Sequence, residues 1–318
     1  MHILCSTDKN YIMPTGVMMK SVSVNNADEN ICFHVIVDES VTWWHKRQLR
    51  SVVKHNSRHT VQFHFFDDTW IDSYPRIGEV KGNYMTKSTY YRLFVTKMLS
   101  EDIDKIIYLD GDIVVVKSLK KLWELDITDY AIAGVTDMSE RLHDYKRLGY
   151  DYSDGYFNAG VLIINLKYWR EHRVIDDFMN IILNQTERIK LHDQDILNIV
   201  FHARKKILPL KYNFQNGFLY KKIFAEFDFP KYEKEISATV SNYVIIHYSC
   251  SLKPWHLECD HPLRDVWMSY WGETQWRHCR LSRKYPFSFR TKVGNILRKC
   301  HLKRQLPEDV KQSFYVDI

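Results

Sequence analysis

The sequence predicts an α/β fold in which a mostly parallel β-sheet is covered by helices on both faces. In the first third of the chain, short and almost continuously apolar segments alternate with longer segments whose apolar residues have helical spacing. Strands that are buried on both faces have this continuous apolar character, and helical crossovers between them make neighbouring strands parallel. The chain of 318 residues is long enough to bury a large core.

The predicted elements alternate in the order strand, helix, strand. The four strands are predicted at His2–Ser6, Ile31–Val37, Val61–Phe66 and Lys105–Leu109. The three helices between them are predicted at Thr15–Val24, Val41–His55 and Thr86–Leu99. Further strands are predicted at Val161–Asn165 and Tyr243–Ile246, and a further helix at His192–Leu197. This order is typical of a Rossmann-like α/β unit, in which ligands bind at the carboxyl ends of the strands.

Charge is distributed unevenly along the chain. The chain has 45 Lys and Arg against 39 Asp and Glu, but residues 274–307 contain ten cations and no acid. The ten are Arg277, Arg280, Arg283, Lys284, Arg290, Lys292, Arg298, Lys299, Lys303 and Arg304. The rest of the chain is mildly acidic, which argues against a nucleic-acid-binding surface that extends over it.

We therefore predict two units, residues 1–276 and a basic, aromatic C-terminal extension, residues 277–318. The mixture of cations with aromatic residues is typical of helices that attach to an anionic membrane surface. The alternatives are a solvated terminus and a structural cap on the first unit.

The cysteines and the N-terminus bear on the compartment. The six cysteines are scattered without a CxxC pair, which is typical of thiols in a reducing compartment. We recognise no signal peptide, and no apolar run approaches the roughly 20 residues that span a bilayer. These features predict a cytoplasmic protein, or one peripheral on the inner face of the cell membrane.

The sharpest chemical motif is Asp110-Gly111-Asp112, between the apolar segments IIYL and IVVV. Two carboxylates at the end of a buried strand provide the hard oxygen ligands that Mg²⁺ and Mn²⁺ prefer, and such a metal can bind together with a diphosphate. Gly111 allows close approach of a ligand to the backbone. One alternative is a simple turn. Another is the nucleophile motif of haloacid-dehalogenase-type phosphatases, with Asp110 attacking phosphorus.

Two other segments carry candidate residues. His247 ends a predicted strand and could ligate a metal, and Lys253 could neutralise a phosphate, although a lone histidine is more often structural. Asp193 and Gln194 open the predicted helix at His192. They could face a substrate there, or Asp193 could cap the helix.

Taken together, six segments resemble glycosyltransferase family 8. They are TDKNY (7–11), STYYRL (88–93), IIYLDGDIVV (106–115), FNAGVLIINLKYWR (157–170), HDQDILN (192–198) and IIHYSCSLKPWH (245–256). They occur in the family's order and spacing and cover about residues 1–256. The resemblance implies a GT-A fold for the first unit.

The resemblance also assigns residues to roles. Asp110, Asp112 and His247 match the metal ligands, with Mn²⁺ as the expected metal and Mg²⁺ as an alternative. Residues that match positions around the donor are Thr7, Asp8, Asn10, Tyr11, Arg92, Asp110, Gly111, Asn158, Asp193, Gln194, His247, Cys250 and Lys253. The residues expected nearest the chemistry are Asp137, Asp193 and Gln194. At position 250 the family usually has glycine, so contact with the phosphates there is expected to differ.

The activity implied by the resemblance is retaining transfer of galactose or glucose from a UDP-sugar to a glycan or glycolipid, as in lipopolysaccharide synthesis. The expected partners are this donor, this acceptor and an anionic membrane surface, without nucleic acid. The rival hypothesis from another class is a non-catalytic, UDP-sugar-binding protein at the membrane surface, since a fold does not determine a function.

Overall fold

The structure is a computed structural model that describes residues 1–67, 87–219, 229–284 and 300. The strands in these residues are β1 (His2–Thr7), β2 (Ile31–Val37), β3 (His59–Phe65), β4 (Lys105–Leu109), β5 (Ile113–Val115), β6 (Ile132–Thr136), β7 (Phe157–Asn165), β8 (Lys205–Leu208), β9 (Phe214–Gln215) and β10 (Ile245–His247). The α-helices are α1 (Ile12–Asn25), α2 (Trp43–Val53), α3 (Val95–Met98), α4 (Lys120–Trp123), α5 (Tyr145–Leu148), α6 (Leu166–Glu171), α7 (Val174–Asn184), α8 (His192–Phe201), α9 (Phe229–Val240) and α10 (Arg264–Gly272).

The described strands form two sheets. The larger has seven strands in the order β3-β2-β1-β4-β7-β6-β8. Its neighbours are parallel except at β7, which is antiparallel to both β4 and β6. The smaller sheet has the order β5-β10-β9. The predicted α/β class with a mostly parallel sheet is therefore confirmed.

The middle residues of the central strands β1 and β4 are apolar because both faces of these strands are buried. In β1, Ile3 packs into one hydrophobic cluster and Leu4 into another on the opposite face. In β4, Ile107 packs into the same cluster as Ile3, and Ile106 packs into the same cluster as Leu4. All four side chains are fully buried, so alternation along each strand fills two separate cores.

The helix predicted at Thr86–Leu99 is mostly a different structure. Residues Lys87–Phe94 form a 3₁₀ helix and only Val95–Met98 is α-helical, while Thr86 lies outside the described residues. Aromatic and β-branched residues have low helix propensity, and Tyr91 and Arg92 are buried by contacts outside the segment. Tertiary packing therefore determines the backbone here.

The FNAG segment was expected to precede a strand, but it is the first part of β7. Phe157 pairs with Thr136 of β6, and the carbonyl of Gly160 accepts a hydrogen bond from the Asp110 amide at 2.9 Å. Because β7 is antiparallel to β4, its beginning lies beside the end of β4. This places the FNAG segment next to Asp110.

The described part of the C-terminal extension contacts the rest of the protein. The Ser282 amide donates to the Trp255 carbonyl, the Leu257 amide donates to the Ser282 carbonyl, and Arg283 pairs with Glu258. The predicted helical character of residues 285–299 and 301–318 falls outside the described residues. Among the helices described, none has the length and apolar character needed to cross a bilayer.

Candidate active site

Asp110, Asp112 and His247 lie together at the carboxyl edge of the large sheet. One ligand atom from each of the three lies within 4.8 Å of the others. The small sheet produces this arrangement, because β5 directly follows Asp112 and its first residue, Ile113, pairs with His247 of β10. Two carboxylates and an imidazole form a ligand set that suits a divalent cation such as Mn²⁺ or Mg²⁺.

The orientation of His247 supports a metal at this position. Its Nδ1 lies 2.9 Å from Oδ1 of Asn213, whose amide nitrogen in turn donates to Asn158 at 2.8 Å. An amide oxygen only accepts, so Nδ1 carries a proton, and Nε2 is the nitrogen that can present a lone pair to a metal. Nε2 lies 3.3 Å from Oδ1 of Asp112, a buried oxygen without a well-aligned donor among the described residues. Two lone pairs that face each other in this way fit a bound cation.

Lys253 is the closest cation to Asp112. Its Nζ lies 2.6 Å from Asp112 Oδ2 and donates to the Tyr248 carbonyl at 2.7 Å. Burial raises the pKa of Asp112, but the positive charge and hydrogen bond of Lys253 oppose this effect, and the pKa is held below its ordinary value. Asp112 is therefore kept ionised, which is the form that ligates a metal.

Arg92 joins Asp110 to Asp193 through separate nitrogens. Its Nη2 lies 2.8 Å from Asp110 Oδ1, and its Nε lies 3.0 Å from Asp193 Oδ2. Its Nη1 donates to the Ala159 carbonyl at 2.5 Å, and its guanidinium stacks 3.9 Å from the Tyr108 ring centroid. Burial raises the pKa of Asp193 to about 7, with Arg92 opposing the rise and Asp110 adding to it.

Asp137, Asn158 and Gln194 form a hydrogen-bonded cluster beside the metal ligands. Asp137 Oδ2 accepts from Asn158 at 3.0 Å and from Gln194 Nε2 at 3.1 Å. Gln194 Oε1 accepts from the Ala159 amide at 2.9 Å and from Asn158 at 3.2 Å. Both polar atoms of the Gln194 side chain are therefore already hydrogen-bonded to protein groups.

The loop after β1 lies against the Asp110–Asp112 segment. Asp8 Oδ1 accepts from the amides of Asn10 and Tyr11 at 2.7 and 3.2 Å, which shapes the loop. A Cβ on Gly111 would lie 2.9 Å from the Thr15 hydroxyl oxygen and 3.1 Å from the Tyr11 ring. Glycine at position 111 is thus required for this packing, in addition to any approach of a ligand.

The remaining predicted residues surround the same centre with different exposure. The Thr7 hydroxyl is buried and donates to the Asp8 carbonyl at 3.2 Å, whereas Asn10 is exposed. Burial raises the pKa of the Cys250 thiol, opposed by Lys253, so the thiol form is favoured. Tyr11 packs edge-on against Trp255, at 5.5 Å between ring centroids. The sequence segments that were predicted to form one site therefore do converge.

Three residues with structural roles in the site were missed by sequence reasoning. Asn213 orients His247, and Tyr108 donates its hydroxyl to Asp110 Oδ1 at 2.8 Å. Gln215 is fully buried and accepts from the Met138 amide at 3.0 Å, which holds the loop that carries Asp137. The available signal was the position of Asn213 between Tyr212 and Phe214, and of Gln215 directly after Phe214, where a buried polar side chain needs a partner.

We expect Asn213→Ala to weaken Mn²⁺ binding by about 10- to 100-fold, since loss of a partner that orients a histidine ligand has effects of this size. Titration of the purified protein with Mn²⁺, followed calorimetrically, measures the affinity. Asn184→Ala is the control, because Asn184 is an exposed residue at the end of α7. An unchanged affinity in Asn213→Ala would show that His247 is not oriented through this bond.

The fold and the site define an α/β enzyme with a candidate metal centre where two sheets meet. The sequence profile of glycosyl transferase family 8 matches residues 2–259, and the chain belongs to that family. It is accordingly a glycosyltransferase.

Two curated relatives and one solved structure illustrate the similarity. General stress protein A of Bacillus subtilis is 28% identical over 281 residues, covering 87% of this chain and 94% of the relative. Lipopolysaccharide 1,2-glucosyltransferase of Escherichia coli is 30% identical over 275 residues, covering 85% of this chain and 78% of the relative. The galactosyltransferase LgtC, solved with donor and acceptor sugar analogues, is 26% identical with a TM-score of 0.75, covering 87% of this chain and 99% of its own.

These similarities confirm the GT-A fold and select among the alternatives left open by the sequence. The Asp-Gly-Asp segment belongs to a glycosyltransferase, and the haloacid-dehalogenase-type phosphatase is not supported. In keeping with this, Asp110 is hydrogen-bonded by Tyr108 and paired with Arg92.

Proposed function

We propose that this glycosyltransferase transfers galactose or glucose from a UDP-sugar to a glycan or glycolipid acceptor, with retention of the anomeric configuration. The observation that carries the proposal is the convergence of Asp110, Asp112, His247 and Lys253 beside the loop after β1. Similarity to a lipopolysaccharide glucosyltransferase and to a galactosyltransferase solved with donor and acceptor analogues supports it. Lipopolysaccharide or another cell-surface glycan is the acceptor class that these relatives favour.

The diphosphate end of the donor would lie at the Asp-Asp-His cluster. Asp110, Asp112 and His247 would hold Mn²⁺ or Mg²⁺, which supplies Lewis-acid stabilisation of the leaving diphosphate. Lys253 would donate a charge-assisted hydrogen bond to the same phosphates, next to Cys250. The loop with Thr7, Asp8, Asn10 and Tyr11 would hold the uridine.

The sugar would lie against Asp137, Asn158, Asp193, Gln194 and Arg92. Carboxylates at this position accept hydrogen bonds from sugar hydroxyls and favour positive character on the ring in the transition state. Because the Gln194 oxygen already accepts two hydrogen bonds, it is a poor nucleophile and serves to position groups. An active-site glutamine-to-glutamate mutant of LgtC has been solved, consistent with a glutamine near the chemistry of that relative.

These contacts favour attack by the acceptor on the same face of the sugar that the diphosphate leaves. The acceptor oxygen forms a bond to the anomeric carbon as the bond from that carbon to the phosphate oxygen breaks. The acceptor proton passes to the departing phosphate. Retention then follows in one step without a covalent glycosyl-enzyme.

The experiment that tests the function is a screen of UDP-hexoses for release of UDP in Mn²⁺, without acceptor and then with glycan acceptors. We expect slow hydrolysis of UDP-galactose or UDP-glucose and faster release when an acceptor is present. Binding of UDP-sugars without any release would instead support the non-catalytic binding protein.

We expect Lys253→Ala to weaken UDP binding by about tenfold or more, since it removes a hydrogen-bonded positive charge from the phosphates. Lys253→Arg should restore part of the affinity, because it keeps the charge but changes the geometry. Calorimetric titration with UDP in Mn²⁺ measures the effect, and the exposed Lys121→Ala is the control. Equal affinity in Lys253→Ala and wild type would place the phosphates elsewhere.

We also propose that the basic extension attaches the enzyme to anionic membranes, an inference from the sequence. Truncation after Lys284 keeps the contacts between residues 281–284 and 255–258 and removes six of the ten cations. Each cation near an anionic surface contributes about 1 kcal/mol, and salt screens this attraction. We expect the truncated chain to retain UDP-sugar hydrolysis and to float less with phosphatidylglycerol vesicles.

Flotation at low and high salt, with phosphatidylcholine vesicles as the control, measures this attachment. The full-length chain should lose binding as salt rises. Equal flotation of both chains would contradict the membrane proposal, and unfolding of the truncated chain would favour a structural cap.

A further inference from the structure

A second cluster of metal-ligating side chains lies at the amino ends of the strands of the large sheet, whereas the candidate active site lies at their carboxyl ends. His2 begins β1 and pairs in register with Cys32 of β2. His34 lies two residues beyond Cys32, so both side chains project from the same face of β2. Parallel pairing of β1 with β2 therefore brings two histidines and a cysteine together at the amino ends of the strands.

The distances within this cluster suit a single ion. One ligand atom from each of His2, Cys32 and His34 lies within 4.8 Å of the others. His2 Nδ1 and His34 Nε2 are 2.9 Å apart. Zinc bonds are about 2.3 Å to sulfur and 2.0–2.1 Å to nitrogen, so ligand atoms around tetrahedral zinc lie about 3.3–3.7 Å apart. The two nitrogens must therefore move apart by about 0.4 Å for both to bind one zinc ion.

A third histidine orients the second. His34 Nδ1 lies 3.0 Å from His64 Nε2. Burial lowers the pKa of His64, and a hydrogen bond to the backbone of Met98 opposes this effect. A hydrogen bond that raises the pKa of a histidine is donated by the imidazole, so a neutral His64 donates to Met98 and accepts from His34. The proton of His34 is then on Nδ1, and its Nε2 lone pair faces His2. Metal-ligating histidines characteristically donate their other nitrogen in this way.

We propose that His2, Cys32 and His34 bind Zn²⁺ through Nδ1, Sγ and Nε2, with a fourth position open to water. Thiolate and imidazole are the ligands that zinc prefers. On binding, the Cys32 thiol releases its proton to solvent, and His2 takes the tautomer with its proton on Nε2, so that Nδ1 presents a lone pair to the metal. The bound ion links β1 to β2 and stabilises the N-terminal strand. This site does not depend on the proposed function.

The first test uses Co²⁺ as a spectroscopic probe for zinc on the full-length chain. Cobalt bound to a thiolate shows a near-ultraviolet charge-transfer band, which the oxygen and nitrogen ligands at the Asp-Asp-His cluster do not produce. We expect the band in wild type, its loss in Cys32→Ser, its displacement by Zn²⁺, and its retention in Cys250→Ser. Absence of the band in wild type, or its survival in Cys32→Ser, would overturn the proposal.

The second test needs no variant and so does not depend on folding of a mutant. Wild-type protein is alkylated with iodoacetamide with and without Zn²⁺, and the rate at each cysteine is followed by peptide mass spectrometry. A metal-bound thiolate is shielded, so we expect Zn²⁺ to slow alkylation of Cys32 by about tenfold or more. Alkylation of the exposed Cys279 is the internal control. Equal slowing at both cysteines, or none at Cys32, would show that zinc does not bind there.

Discussion

Replacement of Asp110 or Asp112 by asparagine is expected to reduce sugar transfer by at least about 10³-fold while the fold is retained. Each change removes a charged ligand from the candidate metal centre, and the leaving diphosphate loses the electrostatic stabilisation that depends on it. Asparagine has nearly the same shape, so the packing around Gly111 is preserved. Release of UDP from the donor in Mn²⁺, measured for both variants, gives the effect.

The matched control is Asp129→Asn, which removes a carboxylate from an exposed position and should leave turnover within about twofold of wild type, as surface changes are usually small. Chelation of the wild type with EDTA should have the same effect as the two substitutions. Near-normal turnover of either variant in Mn²⁺, or full activity in excess chelator, would refute the metal assignment.

Replacement of Arg92 by methionine is expected to destabilise the protein by about 3 kcal/mol and to abolish transfer. Arg92 is buried and pairs with both Asp110 and Asp193, so its loss leaves two carboxylates without their shared cation. Breaking a buried ion pair from one side has effects of this size. For a domain of this size we expect a drop of about 5–10 °C in Tm.

Thermal unfolding of Arg92→Met, Arg92→Lys and the exposed Arg204→Met separates the possible causes. Arg92→Lys should recover part of the stability, since an ammonium restores the charge but cannot match a planar group whose nitrogens reach Asp110, Asp193 and the Ala159 carbonyl separately. Arg204→Met should leave Tm unchanged. A stable Arg92→Met variant would mean that Asp193 is protonated and needs no partner.

The two candidate metal clusters lie at opposite ends of the strands of one sheet and differ in their ligands. Asp110, Asp112 and His247 offer mainly oxygen, which suits Mn²⁺ or Mg²⁺. His2, Cys32 and His34 offer sulfur and nitrogen, which suit Zn²⁺. Different metal preferences allow each cluster to be probed in the presence of the other.

Most of the sheet could be predicted from local sequence. The strands β1, β2, β3 and β4 lie within one or two residues of their predicted ends. A strand buried on both faces, such as β2, needs apolar residues at most positions, and this requirement is visible in the sequence without knowledge of its neighbours. The Asp110–Asp112 segment was recognisable for a similar reason, because the carboxyl end of such a strand is where ligands bind.

Elements whose conformation depends on distant contacts were predicted less well. The segment Lys87–Phe94 has helical spacing but forms a 3₁₀ helix. Phe157–Gly160 was expected to precede a strand but pairs within β7. In both cases the deciding interactions come from residues far away in sequence, and local propensity is a weak guide there.

The sequence by itself determined the α/β class, the family resemblance and most of the polar residues that meet at the site. Only the tertiary structure decided how these residues pair: Arg92 between Asp110 and Asp193, Asn213 behind His247, and Lys253 on Asp112. It also placed His2 beside Cys32 and His34, three residues that form no recognisable motif in the sequence. The physical reason is that strand register sets which side chains face each other, and register depends on contacts across the whole sheet.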